Sequence, residues 1–317
     1  MDLKNAIKEH GLALGLDRIG FARAEALPGD SLREWLASGC SAGMEWMGGR
    51  VEMRLDPRLM LPGARTVIVM AANYFPPGDN PGDCRMDPRL ARIARYALGD
   101  DYHVVLRSRL KSLLAFIRTL APAAEARICV DSAPIWEKEW ARRAGIGWRG
   151  KHSLIIAPGL GSWITLGEIV TDLELEPDQP VPDLCGACTL CMESCPAGAL
   201  TSPSTLDARR CIAYHTIESA DDIPAAVRTA MGNRIFGCDI CQAACPWNLK
   251  WAVPAADPSF HPRPHWQNAP LAELARWPEE RFIAAAQRSP LQRRGYAGFI
   301  RSVRAAIANL QELPPLP

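Results

Sequence analysis

The chain has 317 residues, 48% of them apolar and 22% charged, with a formal net charge of +1. That length holds one large domain or two modest ones with real cores, and near-neutrality excludes a polyelectrolyte, so any nucleic-acid surface must be a local patch. No run of about 18 apolar residues occurs and the opening MDLKNAIKEHG lacks the apolar stretch of a secretory signal, so a cytoplasmic protein with no membrane span is expected.

Residues 2–14 read as a helix with Asp2 as its N-cap, and 17–22 (LDRIGF) as a strand. A helix is expected over 30–37, with Gly39 just past its end. The clearest strand is 65–74 (RTVIVMAANY), rich in Val and Ile and ended by Phe75-Pro76-Pro77; residues 78–90 read as a loop. Apolar residues recur at helical spacing over 103–120, followed by a short strand at 127–131. A helix is predicted over 134–143, with Pro134 in its first turn, then strands at 154–157 and 163–171. This alternation predicts an α/β or α+β domain up to about residue 175. Residues 174–184 turn acidic and Pro-rich and read as a linker, and helices are expected at 271–276, 279–287 and 298–310.

Eleven cysteines need a reason in a reducing compartment, which favours metal binding or catalysis over disulfides. Residues 185–196 (CGACTLCMESCP) spell C-x2-C-x2-C-x3-C-P, the run of bacterial ferredoxins, in which the fourth thiolate serves the other of two clusters. Residues 238–246 (CDICQAACP) repeat it short of one thiol, which Cys211 supplies most simply. Cross-over then assigns Cys185, Cys188, Cys191 and Cys245 to one 4Fe–4S cluster, and Cys195, Cys211, Cys238 and Cys241 to a second. Zinc is the weaker alternative, because it needs neither the third evenly spaced thiol nor the Cys-Pro endings. No C-x3-C-x2-C triplet of a radical enzyme is present, and Cys40, Cys84 and Cys129 read as small buried residues.

Two adjacent clusters form a one-electron wire, which suits a ferredoxin-type carrier or a reductase feeding a second cofactor. A carrier would need only the cysteine segment; the residues before it argue for a catalytic domain. Residues 145–151 (GIGWRGK) match G-x-G-x-x-G and nearly a P-loop, but a helix pattern precedes them, a strand pattern follows, and His152 stands where a P-loop has Ser or Thr. Close backbone approach or a helix-to-strand turn explains these glycines better.

Several stretches together resemble the epoxyqueuosine reductases: RVEMR (50–54), RYALGDDYH (95–103), VDSAPIWEKEWARRAGIGWRGKHS (130–153), GSWITLGEI (161–169), RRCIAYHTIES (209–219), SPLQRRGYAGFIRSVRAAIAN (289–309) and both cysteine motifs. The resemblance spans most of the chain. It implies an α+β protein: a nitroreductase-like cobalamin-binding domain (1–175), a ferredoxin-like two-cluster domain (176–250) and a helical, arginine-rich segment (251–317). It implies reduction of epoxyqueuosine to queuosine in the tRNA anticodon loop, with the clusters reducing a base-off cobalamin that takes no protein ligand on cobalt. The implied acid is Asp131, a carboxyl that can protonate a leaving epoxide oxygen if burial raises its pKa; unaided, an Asp before Ser-Ala-Pro reads as a helix cap. Arg54, Ser153, Ile155, Ala213, Cys238, Asp239 and Asp131 match stretches implied to contact the cofactor, whereas His103, alone on an apolar helix, is left out of the catalytic set. Arg281, Arg288, Arg293, Arg294, Arg301 and Arg304, with no acid between 281 and 310, suit tRNA phosphates. The expected electron donor is of flavodoxin or ferredoxin type and the expected state a monomer. Relatives often run on into a helical-repeat extension, so a less extensive tRNA grip is expected. A dehalogenase is disfavoured by the lack of a twin-arginine signal, and the remaining alternative is an electron-transfer protein with no substrate of its own.

Overall fold

The computed structural model describes residues 2–83 and 87–311; Cys84 lies outside them. The N-terminal half runs α1 (Leu3–Ala13), β1 (Arg18–Arg23), α2 (Asp30–Ala37), α3 (Val51–Leu55), β2 (Thr66–Asn73), β3 (Arg92–Ile93), α4 (Tyr102–Leu120), β4 (Ala126–Cys129), α5 (Glu137–Arg143), β5 (Trp148–Arg149), β6 (Ile155–Ile156) and β7 (Ile164–Thr171). Four strands form one antiparallel sheet in the order β1-β2-β7-β4. Every residue of β2 is buried, as a β-branched run with two covered faces should be. One face packs on α1 and α4, whose Leu106, Leu110, Leu113 and Ile117 repeat at helical spacing; each such burial is worth about 1.5–3 kcal/mol. The other face packs on α5, through Trp140, Ala141 and Ala144.

One turn departs from the sequence expectation. The helix expected from Pro134 begins at Glu137, because residues 131–135 instead form a tight turn in which Asp131 adopts φ +50°. The 174–184 linker carries no helix or strand and is tied to the sheet domain: Asp178 accepts from the backbone N–H of Phe21 at 3.1 Å and pairs with Lys4 (2.8 Å) and Lys8. The 145–151 glycines do join α5 to the β5–β6 hairpin. A Cβ at Gly147 would sit 2.1 Å from the Ile156 carbonyl oxygen, so close backbone approach explains that glycine.

The cysteine-rich part and C-terminus add α6 (Leu190–Glu193), β8 (Leu200–Ser202), β9 (Thr205–Leu206), α7 (Ala225–Met231), β10 (Arg234–Phe236), α8 (Ile240–Ala243), α9 (Pro246–Trp251), α10 (Leu271–Leu274), α11 (Glu279–Ala286) and α12 (Gly295–Gln311). The C-terminal helices share a core with distant segments: Trp266, Trp277, Phe282, Phe299 and Val303 pack with Ala91, Ile93, Ala97, Ile235 and Phe236, and β3 pairs in parallel with β10. This clamps the cysteine segment onto the sheet domain. No helix among the described residues is long and apolar enough to cross a membrane.

Candidate active site and cluster sites

Asp131 follows the end of β4. Its backbone N–H donates to Glu137 Oε1 at 2.6 Å, which stabilises the left-handed turn from the first residue of α5. The carboxylate is not a helix cap. Oδ2 lies 3.0 Å from His103 Nε2, the Tyr102 hydroxyl is within electrostatic reach of it, and the side chain remains 53% exposed. His103 Nδ1 lies 2.7 Å from Asp101 Oδ1, and Asp101 caps α4 by accepting the His103 backbone N–H at 2.9 Å. Asp101, His103 and Asp131 therefore form a carboxylate–imidazole–carboxylate row.

The electrostatics correct one expectation and fill one omission. Burial pushes the Asp131 pKa up, but the hydrogen bond and charge of His103, with Tyr102, outweigh it and leave the carboxyl below its usual range. Burial opposes a charged His103, but Asp101 and Asp131 outweigh that and push it up to about 9. Glu137 is pushed up to about 8 by burial and then by the Asp131 charge. Glu168 on β7, fully buried opposite Cys129 with neither oxygen bonded among the described residues, is held well above the carboxylate range by burial, then by Glu137 and Asp131. At neutral pH one half-exposed carboxylate thus lies among three proton-bearing groups. His103 and Glu137 were missed because their partnership with Asp131 is a tertiary contact; the signal for His103 was its place two residues after a capping aspartate.

The cysteines fall into two sets. Cys185, Cys188, Cys191 and Cys245 line one cavity of about 190 Å³ with Lys151, His152, Ile156 and Trp247. A water's share of liquid volume is about 30 Å³, so this cavity has room for a group of several heavy atoms. Cys195, Cys211, Cys238 and Cys241 are electrostatic neighbours of one another instead. Burial raises the thiols of Cys211, Cys241 and Cys245, and pushes Cys191 to about 11 and Cys238 to about 12, so a cationic centre is needed to hold these as thiolates. Trp148 Nε1 donates to Cys185 Sγ at 3.4 Å and the Ala199 N–H to Cys195 Sγ at 3.2 Å, as around bound clusters. Cys40 and Cys129 are buried and isolated from both sets.

The two regions meet at Lys138. Burial lowers its pKa, and it is within electrostatic reach of Arg149, Glu137, Asp131 and, in the second cysteine set, Cys241. Of the expected cofactor contacts, Cys238 and Asp239 line one crevice with Ala94 and Gly237, and Asp239 accepts the Arg95 backbone N–H at 2.9 Å. Arg54 is not a surface ion-pair residue. It is buried, its Nη2 donates to the Trp46 carbonyl at 3.1 Å, and its Nε–H has no partner among the described residues, an orphan that a polar group of a bound cofactor would satisfy. Ser153 is buried at φ +65°, Ala213 caps a π-helical turn over Tyr214–Glu218, and Ile155 packs in the sheet core.

The arginine-rich segment divides. Arg301 is structural: its guanidinium donates to the Ser219 carbonyl at 3.1 Å and to those of Asp221 and His215. Arg281 pairs with Glu273 and Arg293 with Glu218, both at 2.8 Å, and Arg293 also acts on Asp131. Arg288 and Arg304 are exposed, and Arg294 is half-buried.

The family described as Epoxyqueuosine reductase QueG, DUF1730 matches residues 54–132, and the 4Fe-4S double cluster binding domain matches residues 184–248. A relative named epoxyqueuosine reductase from Salmonella typhimurium is 42% identical over 308 residues, covering 97% of this chain and 80% of its own length. The structure of epoxyqueuosine reductase from Bacillus subtilis with its catalytic loop swung out of the active site superposes with a TM-score of 0.88 at 31% identity, covering 98% of this chain and 82% of that one. A structure of epoxyqueuosine reductase with an epoxyqueuosine-modified tRNA stem loop gives 0.87 at the same identity and coverage.

Proposed function

The chain belongs to the epoxyqueuosine reductase family, and from that premise we propose that it reduces epoxyqueuosine to queuosine in tRNA through two 4Fe–4S clusters and cobalamin. Turning an epoxide into an alkene consumes two electrons and two protons and releases water. The clusters and cobalamin, when bound, supply the electrons. What the chain's own residues must supply is the protons, the seat of the cofactors and the grip on tRNA.

The observation that carries the reading is the Asp131–His103 couple, whose carboxylate shares the electrostatic reach of Lys138 with Cys241 of the second cysteine set. Asp131 is the member open to a ligand, and His103 holds the proton in the free protein. A base seated over Asp131 removes water from the carboxylate, which favours its protonated form and draws the proton from His103 to Oδ2. Asp131 then gives that proton to the departing epoxide oxygen, avoiding a free alkoxide. Asp101 steadies the ring, and Glu137 holds the turn that aims the carboxyl. An electron carrier without a substrate would have no use for this row.

In the same reading, Cys185, Cys188, Cys191 and Cys245 bind one cluster and Cys195, Cys211, Cys238 and Cys241 the other. The sheet domain is nitroreductase-like in its cofactor binding. Arg54, Asp131, Ser153, Ala213, Cys238 and Asp239 would hold the cobalamin, which would supply a strongly reducing centre, with Ile155 backing the turn from the core. Arg288, Arg293 and Arg304 contact phosphates, and a flavodoxin- or ferredoxin-type protein reduces the monomer. The test is a single-turnover reaction of the reconstituted enzyme on an epoxyqueuosine stem loop. Asp131→Asn should lower the rate by about 10²- to 10⁴-fold while leaving iron content and stem-loop affinity intact; an unaltered rate would remove Asp131 from the mechanism.

A further inference from the structure

His152 is 3% exposed and forms part of the cavity wall shared by Cys185, Cys188, Cys191 and Cys245. Its Nδ1 accepts the Leu154 backbone N–H at 3.2 Å, which assigns the ring proton to Nε2. That Nε2 is buried and has no partner among the described residues. The ring is packed closely: a Cβ at Gly150 would stand 3.0 Å from His152 Cε1, so the glycine leaves room for the imidazole. Natural structures rarely bury an N–H without an acceptor. The other nearby donors are accounted for, since Lys151 Nζ donates to the Gly186 carbonyl at 2.7 Å and Trp148 Nε1 to Cys185 Sγ.

We infer that His152 Nε2–H donates a hydrogen bond to a sulfur of the cluster held by Cys185, Cys188, Cys191 and Cys245, and so raises that cluster's reduction potential; this rests on the reading of those four cysteines as one cluster's ligands. The one-electron reduction adds negative charge to the cluster, and a donor aimed at sulfur stabilises the more negative state. The β5–β6 hairpin then presents two N–H groups to this cluster, from Trp148 and His152. This cluster becomes the readier acceptor of an electron from outside.

The test is a redox titration of the two-cluster protein followed by electron paramagnetic resonance, comparing His152→Leu, which removes the donor, with His152→Gln, which keeps an N–H. His152→Leu should lower the reduced-to-oxidised ratio of this cluster at fixed potential about tenfold, equivalent to 59 mV for one electron. His152→Gln should restore most of the shift, and the other cluster should not move. No shift, an equal shift of both clusters, or the same shift in both variants would overturn the inference. Should His152→Leu lose the cluster, pulsed resonance on the native protein with ¹⁵N-labelled histidine decides: a nitrogen coupling on this reduced cluster that vanishes in His152→Gln supports it, and no coupling overturns it. Native protein carrying only one cluster by iron analysis would instead defeat the ligand reading, and this inference with it.

Discussion

Asp131 gains its chemistry from its neighbours more than from burial. His103 and Tyr102 make its carboxylate the favoured form in the free protein, and the proton waits on an imidazole held up at about 9. Turnover should therefore stay level through neutral pH and fall as pH rises through about 9, and His103→Gln should lose about 10²-fold in rate together with that limb; a variant with the native alkaline limb would exclude His103. The sign of the stability linkage is set by the same residues. A folded His103 pKa above the unfolded 6.5 adds stability that is full below 6.5 and lost as pH rises through about 9. Glu137, raised from 4.5 to about 8, makes the folded state weaken across that interval, because the unfolded chain ionises first. Glu137→Gln should flatten the decline between pH 4.5 and 8 in denaturant titrations.

At the scale of elements, the proposed ligand sets cross between the two cysteine motifs. Cys195 lies in the first motif yet groups with Cys211, Cys238 and Cys241, while Cys245 closes the first set. Cys195→Ala should remove the resonance signal of the cluster assigned to Cys211, Cys238 and Cys241 and leave the other, and Cys245→Ala should do the reverse; each motif losing its own cluster would refute the crossing. β2 and α4 were legible in the sequence because one buried pattern runs through each. The turn at 131–135 was not legible. Its conformation depends on Glu137 accepting a backbone N–H, a contact that competes with the helix-start preference of Pro134. The C-terminal helices were visible, but their union with residues 91–97 and 235–236 was not, since periodicity marks an apolar face without naming its partner. Arg301 illustrates the cost: in sequence it matched its basic neighbours, yet in the fold it ties α12 to the carbonyls after Cys211. Arg301→Ala should destabilise the protein by about 1.5–3 kcal/mol, the range for a charged hydrogen bond, as measured by denaturant unfolding.

In the whole molecule the C-terminal helices pack on both residues 91–97 and the cysteine-rich segment, and Arg293 before α12 acts on Asp131. A net charge of +1 leaves tRNA binding to a local grip, so Arg288→Ala should weaken binding similarly for modified and unmodified stem loops and lower the salt slope by about one. The central claim is that this assembly removes the epoxide oxygen of a tRNA base with Asp131 as the acid. It is tested most directly by mass spectrometry of nucleosides digested from the tRNA of cells lacking this gene, with and without its restoration. Epoxyqueuosine should accumulate in the deletion strain and become queuosine on restoration with the native gene, but not with Asp131→Ala; queuosine formed at the native level by the Asp131→Ala chain would contradict the account.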